Sequence, residues 1–224
     1  RRTALFLSAF PFYFLQSFIF PVMKIHLPYT LRRILLSLLL PVAGTSVSMG
    51  TDLFQNYEET LSFNDGRHRF VYDFNYSYDP PTLFLSFQNN KAIEFLNNNI
   101  NGSGGAISIA TSWSDGSKGQ AEFLNNEGPI RFINNTATST GGAIEGGSLK
   151  LTFKNNLGDI LFESNHAGHS GGAIYGRTGN DFTFKDNNNV IFLNNSADIY
   201  GGAIYTTGTI NFDGKNQVHF TGNS

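Results

Sequence analysis

One stretch of the chain has the spacing of a catalytic nucleophile. Residues 168–172 read GHSGG, which fits the G-x-S-x-G pattern of a nucleophile elbow with Ser170 as the nucleophile. The same glycine pair recurs three times elsewhere, preceded by Ser103, Thr140 or Tyr200, and no helical pattern follows it. A reactive hydroxyl is therefore not required at this position, and we expect Ser170 to be a turn residue.

Two histidines and a scatter of carboxylates are the other candidates for chemistry. His166 and His169 lie three residues apart, but the equivalent positions of the neighbouring repeats hold Thr, Ser or Ile, which argues against a metal site. Five aspartates do not recur on one predicted face, as a catalytic acid–base pair would: Asp159, Asp181, Asp186, Asp198 and Asp213. The sequence thus predicts that the protein is not an enzyme and binds no metal or cofactor. The alternative function is that of a carbohydrate-active enzyme with a β-helix fold.

Composition narrows the class of protein further. The net charge of −2 and the pI near 6.2 provide no basic surface for nucleic acid, so we expect no nucleic-acid partner. The chain has no cysteine, which excludes disulfides and thiolate metal sites. Phenylalanine is abundant, with 22 residues, and together with the many Asn and Gly residues it favours β-structure rich in turns.

The elements that would position these residues form a tandem array of about thirty residues per unit. A glycine pair marks each unit: Gly104 and Gly105, Gly141 and Gly142, Gly171 and Gly172, Gly201 and Gly202. A phenylalanine lies nine residues before each pair, and the series ends with a fifth member: Phe95, Phe132, Phe162, Phe192 and Phe220. A second phenylalanine precedes each of these by eight or nine residues: Phe87, Phe123, Phe153, Phe184 and Phe212.

Alternation around these phenylalanines predicts strands. In segments such as IEF, IRF and VHF the outer residues are apolar and the middle residue varies, the pattern of a strand with one buried face. Because each segment matches its counterpart one unit later, successive turns should stack in parallel. The predicted fold is all-β, a right-handed parallel β-helix of three-strand coils over residues 84–224.

Each repeated residue type has a predicted structural role. The two sets of phenylalanines should stack as ladders in the core. Asparagine three residues after most of them should form hydrogen-bonded ladders and also adopt the left-handed backbone of tight corners: Asn90, Asn98, Asn126, Asn135, Asn156, Asn165, Asn187, Asn195 and Asn223. The glycine pairs should form the third corner, where a Cβ would clash.

The region before residue 84 divides into three predicted segments. Residues 1–22 are apolar and are expected to lie outside the functional protein, since Met23 and Lys24 resemble a natural start; an extended signal or a membrane anchor is the alternative. Residues 23–48 have the basic lead, short apolar run and small-residue end of a Sec signal peptide. Residues 49–83 are aromatic and out of register, and we expect an irregular N-terminal cap on the first turn.

Paired GGAI and FxxN tetrapeptides in tandem, over roughly residues 84–224, resemble the chlamydial polymorphic outer-membrane proteins. The resemblance implies an autotransporter passenger displayed on the outer membrane or secreted, which binds a host-cell surface protein or glycan as an adhesin. A purely structural envelope protein is a second alternative. The chain ends within a repeat, which indicates an N-terminal fragment or a truncated member whose open β-helix end could self-associate.

One interval departs from the repeat. Sixteen residues separate Ile107 from Phe123, about seven more than in the later units. An insertion on one side of a solenoid is a common place for a binding surface. Its residues Trp113, Asp115 and Lys118 are therefore the candidate partner-binding loop, with Trp113 packed back on the coil as the alternative.

Overall fold

A computed structural model describes residues 51–55, 60–63, 70–72, 84–109 and 119–224, all within one compact unit, Ala43–Ser224. Every element in these ranges is a β-strand. The segments predicted as an upstream apolar run, 1–22, and as a signal peptide, 23–48, lie outside the described residues and stay predictions.

The strands, numbered along the chain, form four sheets in which every neighbouring pair is parallel. Sheet 1 contains Thr51–Gln55 (β1), Phe84–Gln88 (β4), Gly119–Leu124 (β8), Leu149–Lys154 (β12), Asp181–Lys185 (β16) and Thr209–Asp213 (β20). Sheet 2 contains Thr60–Phe63 (β2), Ala92–Leu96 (β5), Ile130–Ile133 (β9), Ile160–Glu163 (β13), Asn189–Leu193 (β17) and Gln217–Thr221 (β21).

The two remaining sheets are built from shorter strands. Sheet 3 contains Asn99–Ile100 (β6), Thr136–Ala137 (β10), His166–Ala167 (β14) and Ser196–Ala197 (β18). Sheet 4 contains Phe70–Tyr72 (β3), Ile107–Ile109 (β7), Ile144–Gly146 (β11), Ile174–Gly176 (β15) and Ile204–Thr206 (β19). The chain visits sheets 1, 2, 3 and 4 in turn and then begins again one layer higher.

The parallel β-solenoid predicted from the repeat is confirmed. Phe162 pairs with Phe132 on one side and with Phe192 on the other, each thirty residues away, so one turn of chain lies in register on the next. Sheet 3 was not predicted, because a two-residue strand is too short to show the alternation that identifies a strand in sequence. A full turn therefore has four strands, not three.

The segment 49–83, predicted to be irregular and out of register, contributes three strands to the solenoid. Strand β1 pairs with β4, β2 with β5 and β3 with β7, all in parallel. In this register Phe54 aligns with Phe87 and Phe63 aligns with Phe95. This part of the prediction is wrong, and its cause is that neither phenylalanine is followed by the FxxN asparagine.

Two columns of phenylalanine rings form the core. Within each column successive ring centroids are 4.5 to 5.0 Å apart, a distance set by the spacing of hydrogen-bonded strands. Between the columns the rings meet edge to face at 5.7 to 6.2 Å, a geometry that aromatic quadrupoles favour. Eight of the ten predicted core rings are therefore fully buried, whereas the two rings of the last turn, Phe212 and Phe220, are 37% and 51% exposed.

Candidate functional site

The buried asparagine ladders use both ends of each side-chain amide. The Oδ1 atom of Asn165 accepts hydrogen bonds from the backbone N–H and Nδ2 of Asn135, at 3.0 and 2.9 Å. Its Nδ2 donates to Asn195 Oδ1 and to the backbone oxygen of Phe132, both at 2.9 Å. The same pattern continues at Asn216, which keeps its place in the ladder although it follows Phe212 by four residues.

The left-handed corners lie one residue earlier than predicted. Positive φ angles, near 55°, occur at the residues directly before the ladder asparagines: Asn89, Asn97, Asn125, Asn134, Asn155, Ser164, Asp186 and Asn194. The prediction gave the ladder and the corner to the same asparagine, and this is wrong. Two adjacent residues divide these roles. The first has the left-handed backbone of the corner, and the second directs its side chain into the ladder.

The two glycines of each pair are required for different reasons. Gly171 has a φ of +70°, which disfavours any residue with a Cβ. Gly172 has ordinary backbone angles, but a Cβ on it would overlap the backbone oxygen of Gly202 in the next turn. The same division holds for the three other pairs, so the first glycine permits the turn and the second permits the close approach of stacked turns.

Ser170 has a histidine neighbour but lacks the other parts of a nucleophile site. Its Oγ lies 2.7 Å from His169 Nδ1, and the residue is almost completely buried. The backbone N–H groups of Gly171 and Gly172 donate to Tyr200 and Gly201 of the next turn, so neither can stabilise an oxyanion. Ser170 bridges Thr140 and Tyr200 in a parallel column, which gives it a structural role.

The two candidate metal-binding histidines contact different partners. His166 Nδ1 lies 3.0 Å from Ser196 Oγ, and its Nε2 lies 3.8 Å from an oxygen of Asp198, whereas His169 contacts Ser170. Among the described residues no three His, Cys, Asp or Glu side chains are close enough together to hold a metal ion.

The aspartates are engaged in separate surface contacts. Asp159 accepts hydrogen bonds from Asn188 and Asn189, at 2.9 and 2.7 Å. The pKa of the Asp213 carboxyl is lowered by a hydrogen bond from Lys185, by the backbone N–H of Gly214 and by the Lys185 charge. A general acid of a glycosidase needs a raised pKa, so Asp213 is unsuited to that role.

Residues 110–118, which include Trp113, Asp115 and Lys118, lie outside the described residues, and the partner-binding loop stays a prediction. The strands on either side do define the size of the insertion. Ile109 aligns with Gly146, and Gly119 aligns with Leu149. Nine residues thus stand where the next turn has two, which makes an insertion of seven.

A surface groove that the repeat analysis did not predict follows the corner between sheets 1 and 2. It has a volume of about 650 Å³ and is built by three successive turns. One rim consists of Asn155, Asp186 and Lys215, the other of Leu157 and Asn188, and the buried amides of Asn156 and Asn187 form the floor. Aligning the residues on either side of each FxxN asparagine would have revealed both rims.

Comparison with protein families identifies the repeats. The family model of the Chlamydia polymorphic membrane protein repeat matches residues 129–147, 159–177 and 189–207. The chain thus carries three consecutive repeats of the chlamydial polymorphic membrane protein family. Each match begins just before or at a sheet 2 strand and ends just after the sheet 4 strand that follows the glycine pair. Repeats of this family suggest an outer-membrane autotransporter passenger, and the family is located at the outer-membrane surface.

No curated protein and no solved structure matches the chain. Within the described part of the chain there is no helix of the length and apolarity needed to span a bilayer.

Proposed function

We propose that this protein is an adhesin-type passenger that is exported by the Sec pathway, binds host-cell surfaces and has no enzymatic activity. The three repeats of a family of outer-membrane surface proteins carry the proposal. The chemistry of the solenoid supports it, because the inward positions and the corners are occupied by residues that the stacking requires. Recognition is then left to the outward side chains and to the insertion.

The outward positions differ from turn to turn, as a recognition surface requires. Along the middle of sheet 2 the outward residues are Glu94, Arg131, Leu161, Ile191 and His219, whereas the flanking inward residues are all apolar. Arg131 and Glu94 form an ion pair at 2.7 Å on this face. A surface that varies over an invariant core can acquire a partner without loss of fold.

The proposal is tested by the adhesion of beads coated with the purified full chain to cultured epithelial cells. A matched variant lacks residues 112–118, which leaves a two-residue connection like that between β11 and β12. We expect the wild-type beads to adhere and the shortened chain to keep its β-sheet circular dichroism but to adhere less, because a surface loop adds little to stability. Beads that adhere no better than albumin-coated beads would favour the alternative, a purely structural envelope protein.

A further inference from the structure

We propose that the groove between sheets 1 and 2, lined by Asn155, Leu157, Asp186, Asn188 and Lys215, is a binding site for a neutral linear glycan that contains N-acetylhexosamine. Its volume of about 650 Å³ lies in the range of small-ligand sites. The inference rests on the proposed function in one respect: it names the class of host-surface molecule that the passenger would meet.

One rim of the groove, Leu157 and Asn188, differs from the equivalent residues of the earlier turns. The residues that directly follow the sheet 1 ladder asparagines are Lys91, Glu127, Leu157 and Asn188 in successive turns. In the earlier turns Lys91 and Glu127 form an ion pair, with Nζ and Oε2 2.5 Å apart. In the later turns Leu157 and Asn188 take these places and form no such pair.

The polar groups of the groove match a ligand rich in hydroxyl donors. The side chains of Asp186 and Lys215 form no hydrogen bond or ion pair within the described part of the chain, and both face the groove. Asn188 uses its Nδ2 on Asp159, and Asn155 uses its Nδ2 on Asn125, which leaves their amide oxygens as acceptors. Hydroxyl and acetamido N–H groups of a sugar are the donors that fit these oxygens.

Charge and apolar surface narrow the ligand class. One carboxylate and one ammonium give the groove no net charge, and the chain as a whole carries −2, so a sulfated or other polyanionic glycan is disfavoured. Leu157 is 72% exposed at the rim, where its side chain can pack against a sugar ring face or an acetamido methyl group.

The direction of the groove suits a chain of sugars. Its rims place equivalent side chains one turn apart along the solenoid axis, a spacing of roughly 5 Å that is about the length of one pyranose unit. A linear glycan lying parallel to the axis would therefore meet the rim side chains of one turn at each sugar.

The test is titration of the full chain with the β-1,4-linked tetramer of N-acetylglucosamine, followed by calorimetry and saturation-transfer NMR. A closed variant, Leu157→Lys with Asn188→Glu, places the ion pair of the earlier turns along the rim that Leu157 and Asn188 form. Asp186→Asn removes the carboxylate and suits the left-handed φ of 53° at this residue. Glu163→Gln is the control, since Glu163 lies on the outer face of sheet 2, away from the groove.

We expect the tetramer to bind the wild type and the control equally. Asp186→Asn should weaken binding about tenfold or more, the effect of losing a hydrogen bond to a charged group, and the closed variant should not bind. Absence of saturation transfer from the wild type to the tetramer, or unchanged binding by the closed variant, would overturn the inference. The assay uses no cells, so tetramer binding without cell adhesion would count against the proposed function and leave the glycan site in place.

Discussion

Phe162 shows what a single core residue contributes. It is completely buried, and its ring lies 4.8 Å from Phe132 and 4.9 Å from Phe192. Phe162→Ala should lower the free energy of unfolding by about 3–5 kcal/mol, because it removes a ring from the middle of a column that cannot collapse around the cavity. Leu161→Ser, one residue away on the outer face, should cost far less. Denaturant titration measures the unfolding free energy of both variants. Equal losses of unfolding free energy would mean that the buried face is assigned incorrectly.

Asn165 tests the polar ladder through its pH dependence. In Asn165→Asp a carboxylate oxygen would replace Nδ2 and face two acceptors, Asn195 Oδ1 and the backbone oxygen of Phe132. The folded state should therefore raise the pKa of the new carboxyl above its unfolded value of about 3.9. The stability of this variant relative to the wild type should be highest below pH 4 and should fall as the pH rises through the folded pKa.

The magnitude and control for this variant follow from the same contacts. At pH 7 Asn165→Asp should lower the free energy of unfolding by about 3 kcal/mol or more, since buried acceptors lose their donors and a charge is buried. Asn165→Ala removes the amide without adding a titratable group, so its loss relative to the wild type should not change with pH. Parallel pH profiles for the two variants would contradict the ladder geometry.

At the scale of the elements, the glycine corner sets how closely two turns can stack. Gly172→Ala would place a Cβ on the backbone oxygen of Gly202, an atom that cannot move without separating the turns. We expect a loss of about 3 kcal/mol or more in unfolding free energy. Gly179→Asn is the control: Gly179, unlike Gly172, has a positive φ, of 82°, but a Cβ there would meet only Ser148 Oγ at 3.5 Å.

Gly179→Asn should lower the free energy of unfolding by no more than about 1 kcal/mol, because asparagine tolerates left-handed angles. Thermal unfolding followed by circular dichroism would compare the two variants. A Gly172→Ala protein as stable as the control would mean that the turns are not in close contact at this corner.

The elements also show what the sequence could predict. Strands β9, β13 and β17 were predictable, because each has the apolar alternation and an FxxN motif at a constant distance from a glycine pair. Strands β1 to β3 lack the asparagine and glycine signals, although Phe54 and Phe63 have the nine-residue spacing of the two ladders. The two-residue strand β14 has no pattern of its own and forms because its neighbours on both sides are already aligned.

The groove was harder to predict than the ladders for a physical reason. A ladder is specified by the same residue type in every turn, so it appears as a repeat. The groove exists where the residue type changes, from the Lys91 and Glu127 pair to Leu157 and Asn188, and its meaning depends on which side chains become neighbours through the register.

At the scale of the whole molecule, the parallel register between turns underlies all of these features. The ladders, the glycine contacts and the groove all need each residue to lie beside its counterpart one turn later, as Thr152 lies beside Thr183. The other arrangement open to short alternating segments is an antiparallel hairpin, in which the strand around Thr152 would fold back on the next segment and lie beside Leu161.

Cysteine cross-linking distinguishes these two arrangements directly, because the chain has no cysteine of its own. One variant carries Thr152→Cys with Thr183→Cys, and the other carries Thr152→Cys with Leu161→Cys; all three positions face outward and are half-buried, so the fold should tolerate them. With a short bifunctional thiol reagent, the solenoid predicts efficient cross-linking of residues 152 and 183 and little cross-linking of residues 152 and 161. The reverse result would contradict the stacked parallel register on which the account depends.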